Sequence, residues 1–164
     1  MSDVAALLEL LGHATIHDLG RSMSNGMAQS PNHPSFRHCL DRLHGDRVRD
    51  DGGSAAADLL TTGCHVGTHV DALAHVSHDG LLFGGVSAAE AQATGRFEVL
   101  GIHELPPFVG RGVLLDIAAM LGVEVCEPGY EITASDLEAT VVRQATPVRA
   151  GDAVLIRSGW GKHF

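Results

Sequence analysis

The sequence predicts a domain of the α/β class, and three observations support that prediction. Apolar runs typical of strands alternate with helical patterns, clusters of breaker residues separate them, and 164 residues are enough to bury a core. Hydrophobic residues make up 45% of the chain and charged residues 19%, a composition typical of globular proteins and not of disordered segments. We find no internal repeat and no low-complexity linker, so we predict a single domain over residues 1–164.

The first predicted element is a short amphipathic helix near the N-terminus. Four apolar residues recur there at helical spacing: Val4, Leu7, Leu8 and Leu11. Ser2 or Asp3 can cap the start of this helix, and Gly12 can mark its end.

The stretch from Ile16 to Pro34 predicts a long loop, because it is rich in residues that break regular structure. Asn25 and Gly26 predict a tight turn, and we expect the prolines at positions 31 and 34 to keep the chain extended. A long ordered loop inside a compact domain often has a functional role. The part of the loop from Met23 to Phe36 contains our candidates for substrate binding: Asn32, His33 and Phe36.

Strand and helix patterns alternate in the second half of the chain. Three apolar runs predict buried strands: Phe97 to Ile102, Gly112 to Ile117 and Ala153 to Arg157. Between the last two runs we predict a helix from Thr133 to Gln144, with Thr133 as its N-cap and Asp136 as the acidic residue of a capping box. Strands mixed with helices in this way are the basis of the α/β prediction.

The charge distribution argues against nucleic acid and anionic membranes as partners. The formal net charge is -9 with histidines neutral, and basic residues cluster only weakly, between Arg37 and Arg49. Acidic residues are interleaved with them: Asp41, Asp46, Asp50 and Asp51. We interpret this stretch as a solvated polar segment, and we expect neither nucleic acid nor a membrane as a partner.

The three cysteines favour a reducing compartment. Cys39, Cys64 and Cys126 are widely spaced and form no C-x-x-C pair, which argues against a disulfide framework. No run approaches the roughly 18 apolar residues of a membrane span, and the N-terminus lacks the basic start of a signal peptide. We therefore predict a cytoplasmic protein. Cys64 precedes His65, and we interpret it as a small buried apolar side chain in preference to a ligand.

A cluster of histidines predicts a divalent-metal site. Of the eleven histidines in the chain, three fall in the stretch H-V-G-T-H-V-D-A-L-A-H, which runs from His65 to His75 and also contains Asp71. Imidazole nitrogen and carboxylate oxygen are the usual ligands of Zn, Mn and Fe. We predict His65, His69 and Asp71 as metal ligands, with His75 beside them and Zn or Mn as the ion.

The spacing of these four residues excludes a single straight helix as their support. At about 100° per residue, His65 and His69 lie about 40° apart, but Asp71 and His75 fall on the far side. In an extended segment all four positions have the same parity and share a face. We therefore place them on a strand or turn, with a helix starting near Asp71, and with Gly67 allowing close backbone approach.

Other kinds of metal protein share part of this pattern. Zinc proteases of the H-E-x-x-H type need a glutamate where Val66 stands, which excludes them. Non-haem iron oxygenases use H-x-D with a distant histidine, such as His103, but this alternative leaves His65 and His75 without a role. A non-catalytic metal-binding module is the third alternative. We interpret His78 and His103 as surface or capping histidines.

The stretch from His65 to His75 resembles the H-x-G-T-H-x-D-x-x-x-H signature of the cyclase family of metal-dependent hydrolases, which includes bacterial kynurenine formamidase and isatin hydrolase. Leu73 is a small departure, since many members have proline there. Three further segments extend the likeness over nearly the whole chain: His17 to Leu19, Gly112 to Asp116 and Gly151 to Trp160.

This resemblance implies a swivelling β/β/α fold, a homodimer or homotetramer, and a small-molecule substrate. It implies that His65, His69 and Asp71 bind the metal and that His75 is the catalytic acid/base. The implied reaction is hydrolysis of a small amide, lactam or ester, most typically at a C–N bond, by metal-activated water.

Family members generally continue beyond the segment that ends at Trp160, and in kynurenine formamidases the later part supplies another His and a Glu to the metal centre. His163 follows Trp160 too soon to match that ligand. We therefore expect the C-terminal part of the domain to be missing from this sequence. A fragment, completion by another chain, and a degenerate protein are the three explanations that remain open.

Overall fold

The computed structural model describes residues 3–164 and divides into two compact units, the first ending at Asp71 and the second spanning Ala72–Phe164. Both units contain helices and strands, which is the mixed content that the sequence predicts. The prediction of a single domain over residues 1–164 stays a prediction, and each unit is described here by itself.

The first unit consists of helix α1 (Asp3–His13) and an antiparallel pair of strands, β1 (Arg37–Arg42) and β2 (Ala57–Thr61). The helix is where the apolar spacing predicts it. It continues through Gly12 and ends at His13, so the predicted end at Gly12 is wrong by one residue. The proposed cap at Ser2 lies outside the described residues.

Strands β1 and β2 were not predicted, because their side chains do not alternate between apolar and polar. The register pairs Arg37 with Thr61, and a bulge interrupts it between Leu40 and Arg42. All six residues of β1 are exposed or half-buried. The side chain of Asn25, in the preceding loop, binds the backbone of β1. Its Nδ2 donates to the carbonyl of His38 and its Oδ1 accepts from the His38 N–H, both at 2.8 Å.

The loop before β1 contains the tight turn predicted at Asn25 and Gly26. The N–H of Met27 donates to the carbonyl of Ser24 at 3.1 Å, and Gly26 has a φ of +81°, which a turn of this kind requires at its third residue. The prediction that Pro31 keeps the chain extended is wrong. Pro31 lies in a second turn, where the His33 N–H reaches the carbonyl of Ser30 at 3.3 Å.

The second unit contains helices α2 (Ala88–Ala91), α3 (Ile117–Leu121) and α4 (Ala134–Gln144), with strands β3 (Gly112–Asp116) and β4 (Ala153–Arg157). Three short 3₁₀ helices complete it: Phe83–Gly85, Ile102–Glu104 and Trp160–His163. Strands β3 and β4 are parallel and in register from Gly112 opposite Ala153 to Asp116 opposite Arg157. Both strands were predicted, although β3 ends at Asp116 and Ile117 already begins α3. The predicted burial is wrong in part, since β3 is buried only at Val113 and Leu115 and β4 has no buried residue.

The core of the second unit lies beside β3 and α3. Its buried members are Val113, Leu115, Ile117, Ala118 and Cys126, and side chains of α4 pack against them. A smaller cluster of Ala74, Leu82 and Ala91 lies elsewhere in the same unit. The junction between β3 and α3 is fixed by Asp116, whose carboxylate caps α3 at the Ala119 N–H (3.0 Å) and accepts from Arg157 (2.7 Å).

The capping box predicted for α4 is present. Asp136 N–H donates to the Thr133 hydroxyl, and the Asp136 carboxylate accepts from the Thr133 N–H at 2.8 Å. The strand predicted from Phe97 to Ile102 is wrong. Leu100 has a φ of +59° in the left-handed region, which no strand tolerates, and its N–H is bound by the Glu104 carboxylate at 2.5 Å. The segment therefore bends and enters the 3₁₀ helix at Ile102.

Within residues 3–164, none of the helices has the length and the apolar content needed to cross a lipid bilayer.

Candidate metal centre

Three of the predicted ligand residues lie together in the first unit. Asp71 Oδ1 is 2.5 Å from His65 Nδ1 and 3.3 Å from His69 Nε2. The two imidazole rings meet edge to face, with their centroids 5.2 Å apart. Each residue offers one possible ligand atom, and these three atoms lie within 4.8 Å of one another. Among the described residues, His65, His69 and Asp71 therefore form a group that could hold a metal ion.

The tautomer of His69 suits metal binding. Its Nδ1 lies 2.8 Å from the carbonyl oxygen of Gly67, which can only accept a hydrogen bond. The proton of a neutral imidazole is therefore held on Nδ1, and the lone pair is left on Nε2, the nitrogen that faces Asp71. A backbone carbonyl behind a ligating histidine is a common support in metal sites.

The three residues fit a divalent cation by their chemistry and spacing. Two imidazole nitrogens and a carboxylate oxygen bind Zn and Mn at about 2.0–2.2 Å in proteins. The side chains of His65, His69 and Asp71 are 23%, 31% and 52% exposed, so the group is accessible from solvent. A site with three protein ligands and access for water has the form of a catalytic centre and not of a closed structural one.

The ligands converge through a turn, and the strand and helix that we considered for them are both absent. Residues 64–68 form a turn and bends, residues 69–72 are irregular, and no helix begins near Asp71. Gly67 reverses the chain between the two histidines with a φ of +70°. Shared strand parity is therefore the wrong reason for the convergence, and the left-handed glycine is the right one.

Residues 21–27 of the first unit contact the metal loop, which is defined as residues 63–71. The Arg21 N–H donates to the hydroxyl of Thr68 at 2.9 Å. Met23 and Met27 pack where Gly67 has no side chain, since a Cβ there would lie 3.4 Å from Met23 Cγ and 3.5 Å from Met27 Cε. The sequence did not reveal these neighbours, because nothing in the spacing of Met23 and Met27 points to Gly67.

His75, the predicted acid/base, belongs to the second unit. It is exposed and closes a turn in which its N–H donates to the carbonyl of Ala72 at 2.9 Å. The position of its imidazole relative to the three ligands, and its role, stay predictions.

The predicted substrate-binding residues have three different environments within the first unit. Asn32 is exposed, His33 is half-buried with its ring centroid 5.4 Å from that of His65, and Phe36 is buried at 6% exposure. Phe36 lines a cleft of about 560 Å³ together with residues of the turn at Asn25 and of β1. Gln29, which also lines this cleft, holds the loop through its side chain and was missed at the sequence level.

Other candidate residues are also placed by the structure. Cys64 is exposed, so its interpretation as a buried apolar side chain is wrong, and it is not one of the three grouped ligands. His78 is on the surface as expected, with its side chain 96% exposed, and His103 is exposed too. The grouping of His65 with His69 and Asp71 argues against His103 as the second histidine ligand, which was the form that the oxygenase alternative took.

The family whose sequence model matches residues 17–164 is described as "Putative cyclase". The chain belongs to the cyclase family. A solved structure described as that of a novel cyclase also resembles this chain, with 29% sequence identity and a TM-score of 0.80. The likeness covers 96% of this cyclase chain and 54% of the solved one, so the chain spans about half the length of that structure. A comparison with curated protein sequences found no match.

These comparisons confirm the family resemblance and the fold class. The mixed helices and strands of the cyclase chain match an α/β cyclase fold over nearly all of its own length. Family membership also agrees with metal dependence, since the chain carries a His/Asp group able to bind a divalent cation.

Proposed function

We propose that this chain is part of a metal-dependent hydrolase that cleaves a small amide, lactam or ester, acting on a C–N bond as kynurenine formamidases do. The observation that carries the proposal is the grouping of His65, His69 and Asp71 within 4.8 Å of one another. Membership of the cyclase family supports hydrolysis as the general class of reaction. We further propose a homodimer or homotetramer with a small-molecule substrate.

The roles of the three ligands follow from their atoms. His69 would bind through Nε2, because Nδ1 is held at the carbonyl of Gly67. Asp71 would bind through a carboxylate oxygen and contribute the negative charge that partly neutralises the cation. A bound divalent ion would supply a water whose pKa is lowered from that of bulk water toward about 7 and would polarise the carbonyl group of the substrate.

His75 would donate a proton to the leaving group in this reaction. An imidazole can donate to a leaving nitrogen or oxygen near neutral pH, because its ordinary pKa lies close to that value. The leaving amine of an amide is a poor leaving group until it is protonated. Loss of His75 should therefore impair an amide substrate more than an ester with a good leaving group.

Replacing Asp71 with alanine tests the metal site. We expect Asp71→Ala to abolish Zn²⁺ and Mn²⁺ binding in isothermal titration calorimetry, because it removes the charged ligand. Asp50→Ala is a matched control, since Asp50 is an exposed aspartate of the same unit outside the ligand group. Full metal content in purified Asp71→Ala would contradict the assignment.

The reaction class has its own test. The metal-loaded protein, in its longest natural form, is assayed on N-formylkynurenine, isatin and a simple ester, and we expect hydrolysis of at least one of them. Oxygen uptake with added Fe(II), in place of hydrolysis, would support the oxygenase and overturn the proposal. Metal binding without either activity would identify a non-catalytic module.

A further inference from the structure

The segment from Gln29 to Phe36 borders the metal loop within the first unit. The ring of His33 lies against that of His65, with the centroids 5.4 Å apart and the planes at 44°. We propose that His33 is a positioning residue, which holds the imidazole of His65 in the orientation required for metal binding, and that Gln29 in turn holds His33. This inference rests on the metal site of the proposed function.

Gln29 fixes the backbone on both sides of His33. Its Nε2 donates to the carbonyl of His33 at 3.1 Å, and its Oε1 accepts from the N–H of Phe36 at 3.0 Å. The side-chain amide thereby satisfies two backbone groups that are three residues apart. The Ser30 carbonyl accepts from the His33 N–H at 3.3 Å and closes the turn before it. A loop bonded at both ends in this way has few conformations left.

A second anchor joins this segment to the metal loop itself. The N–H of Gly63 donates to the carbonyl of Pro34 at 3.2 Å. Gly63 is buried, and a Cβ at this position would lie 3.1 Å from Pro34 Cδ and 3.4 Å from His33 Cβ. The absence of a side chain therefore allows the two segments to approach, two residues before the ligand His65.

The two histidine ligands are oriented by different contacts. The ring of His69 is oriented by the Gly67 carbonyl, which is not a proposed ligand. His65 Nδ1 contacts the carboxylate of Asp71, which is itself a proposed ligand and would share its oxygen with the cation. The rings of His33 and His69 flank His65 at 5.4 and 5.2 Å. Packing between them restricts rotation of the ligand ring before the metal arrives.

Replacement of His33 should therefore weaken metal binding although His33 is not in the ligand group. We expect His33→Ala to raise the Kd for Zn²⁺ by about 10–100-fold, the usual effect of removing a residue that supports a ligand. His33→Phe keeps a ring at this place and should restore most of the affinity. Gln29→Ala should act in the same direction but less strongly, because the hydrogen bond from Gly63 to the carbonyl of Pro34 remains as an anchor.

The readouts are calorimetric Zn²⁺ affinity and the visible absorption spectrum of the Co²⁺-loaded protein, which reports ligand geometry. His44→Ala is the matched control, an exposed histidine of the same unit that contacts Ser54, and should leave both unchanged. A purely structural role for His33 would lower thermal stability and leave the Co²⁺ spectrum of the folded protein as it was.

Three outcomes overturn the inference. The first is that His33→Ala folds and binds Zn²⁺ with unchanged affinity. The second is that it loses affinity without any change of the Co²⁺ spectrum, and the third is that His33→Phe fails to restore binding. His65→Ala separates this inference from the proposed function. If His65→Ala binds Zn²⁺ normally, the metal site itself is wrong. If it loses binding and His33→Ala does not, only the positioning role fails.

Discussion

The two units of this chain are held in shape by different interactions. In the second unit, β3 and α3 bury a continuous apolar cluster that includes Leu115 and Ile117, and α4 packs against it. Among the described residues of the first unit, the buried hydrophobic side chains are Phe36 and Val66. Its loops are fixed instead by hydrogen bonds from side chains such as Asn25 and Gln29 to the backbone.

The candidate metal ligands belong to the unit with the smaller core. Apolar burial is nondirectional and stabilises a fold without specifying the angle of any one side chain. Hydrogen bonds have strict geometry, so a few of them can orient a ligand such as His69 with little buried surface. A cation that binds only the folded form adds stability of its own, which would compensate for the modest core of the first unit.

The largest effect should come from the core of the second unit. We expect Leu115→Ala to lower the free energy of unfolding by about 3 kcal/mol, because it leaves a cavity at a side chain that is 2% exposed. Leu114→Ala, the adjacent strand residue at 51% exposure, is the matched control and should lower it by less than about 1 kcal/mol. Urea denaturation followed by circular dichroism measures both, and equal losses would contradict the assignment of the core.

A smaller effect on stability, but a direct one on the metal, is expected from Gly67→Ala. An alanine held at φ +70° is strained by about 1–2 kcal/mol, and its Cβ would touch Met23 without a clash. The strain falls between the two histidine ligands, so we expect weaker Zn²⁺ binding by calorimetry. Gly45→Ala is the control, since Gly45 has a φ of +93° in the same unit with open space around it. Equal Zn²⁺ affinity of the two variants would show that Gly67 has no special role.

The smallest of the three effects is the pH dependence of stability that Asp116 of the second unit contributes. Hydrogen bonding from the Ala119 N–H, followed by that from Arg157, lowers the pKa of Asp116 below its usual value of 3.8. The contribution of this carboxylate is therefore complete above pH 3.8 and is lost as the pH falls through the lower pKa of the folded state.

Replacing Asp116 with asparagine keeps an acceptor for the Ala119 N–H and removes the charge. Asp116→Asn should have a flatter stability profile at acidic pH than the unaltered protein, as measured by thermal melts from pH 5 downward. Asp79→Asn removes a carboxylate whose side chain is 89% exposed and should preserve the acid dependence. An unchanged profile in Asp116→Asn would assign the acid sensitivity to other carboxylates.

Local signals in the sequence predicted the elements that depend on local interactions. The capping box at Thr133 and Asp136, the turn at Asn25 and Gly26, and the apolar runs of β3 and β4 were all identified from neighbouring residues. Strands β1 and β2 were not predicted, because these exposed strands show no regular alternation of apolar and polar residues. The left-handed conformation of Leu100 was not predicted, because it accompanies a hydrogen bond from its N–H to the Glu104 carboxylate, which the apolar run does not indicate.

The ligand types of the site could be predicted, but its geometry could not. Two histidines and an aspartate at a short spacing indicate metal chemistry whatever backbone carries them. The turn at Gly67, by contrast, depends on packing by Met23 and Met27 from a distant loop. The contact between His33 and His65 depends on Gln29 and Gly63, whose roles arise only when the two segments meet.

The pairing of strands also sets an order in which the chain can fold. Strands β1 and β2 are antiparallel neighbours along the chain, so joining them closes a short loop. Strands β3 and β4 are parallel, and the chain between them contains α3 and α4, so their pairing closes a much longer loop at a greater entropic cost. We therefore expect the hairpin that leads into the metal loop to form before the sheet of the second unit.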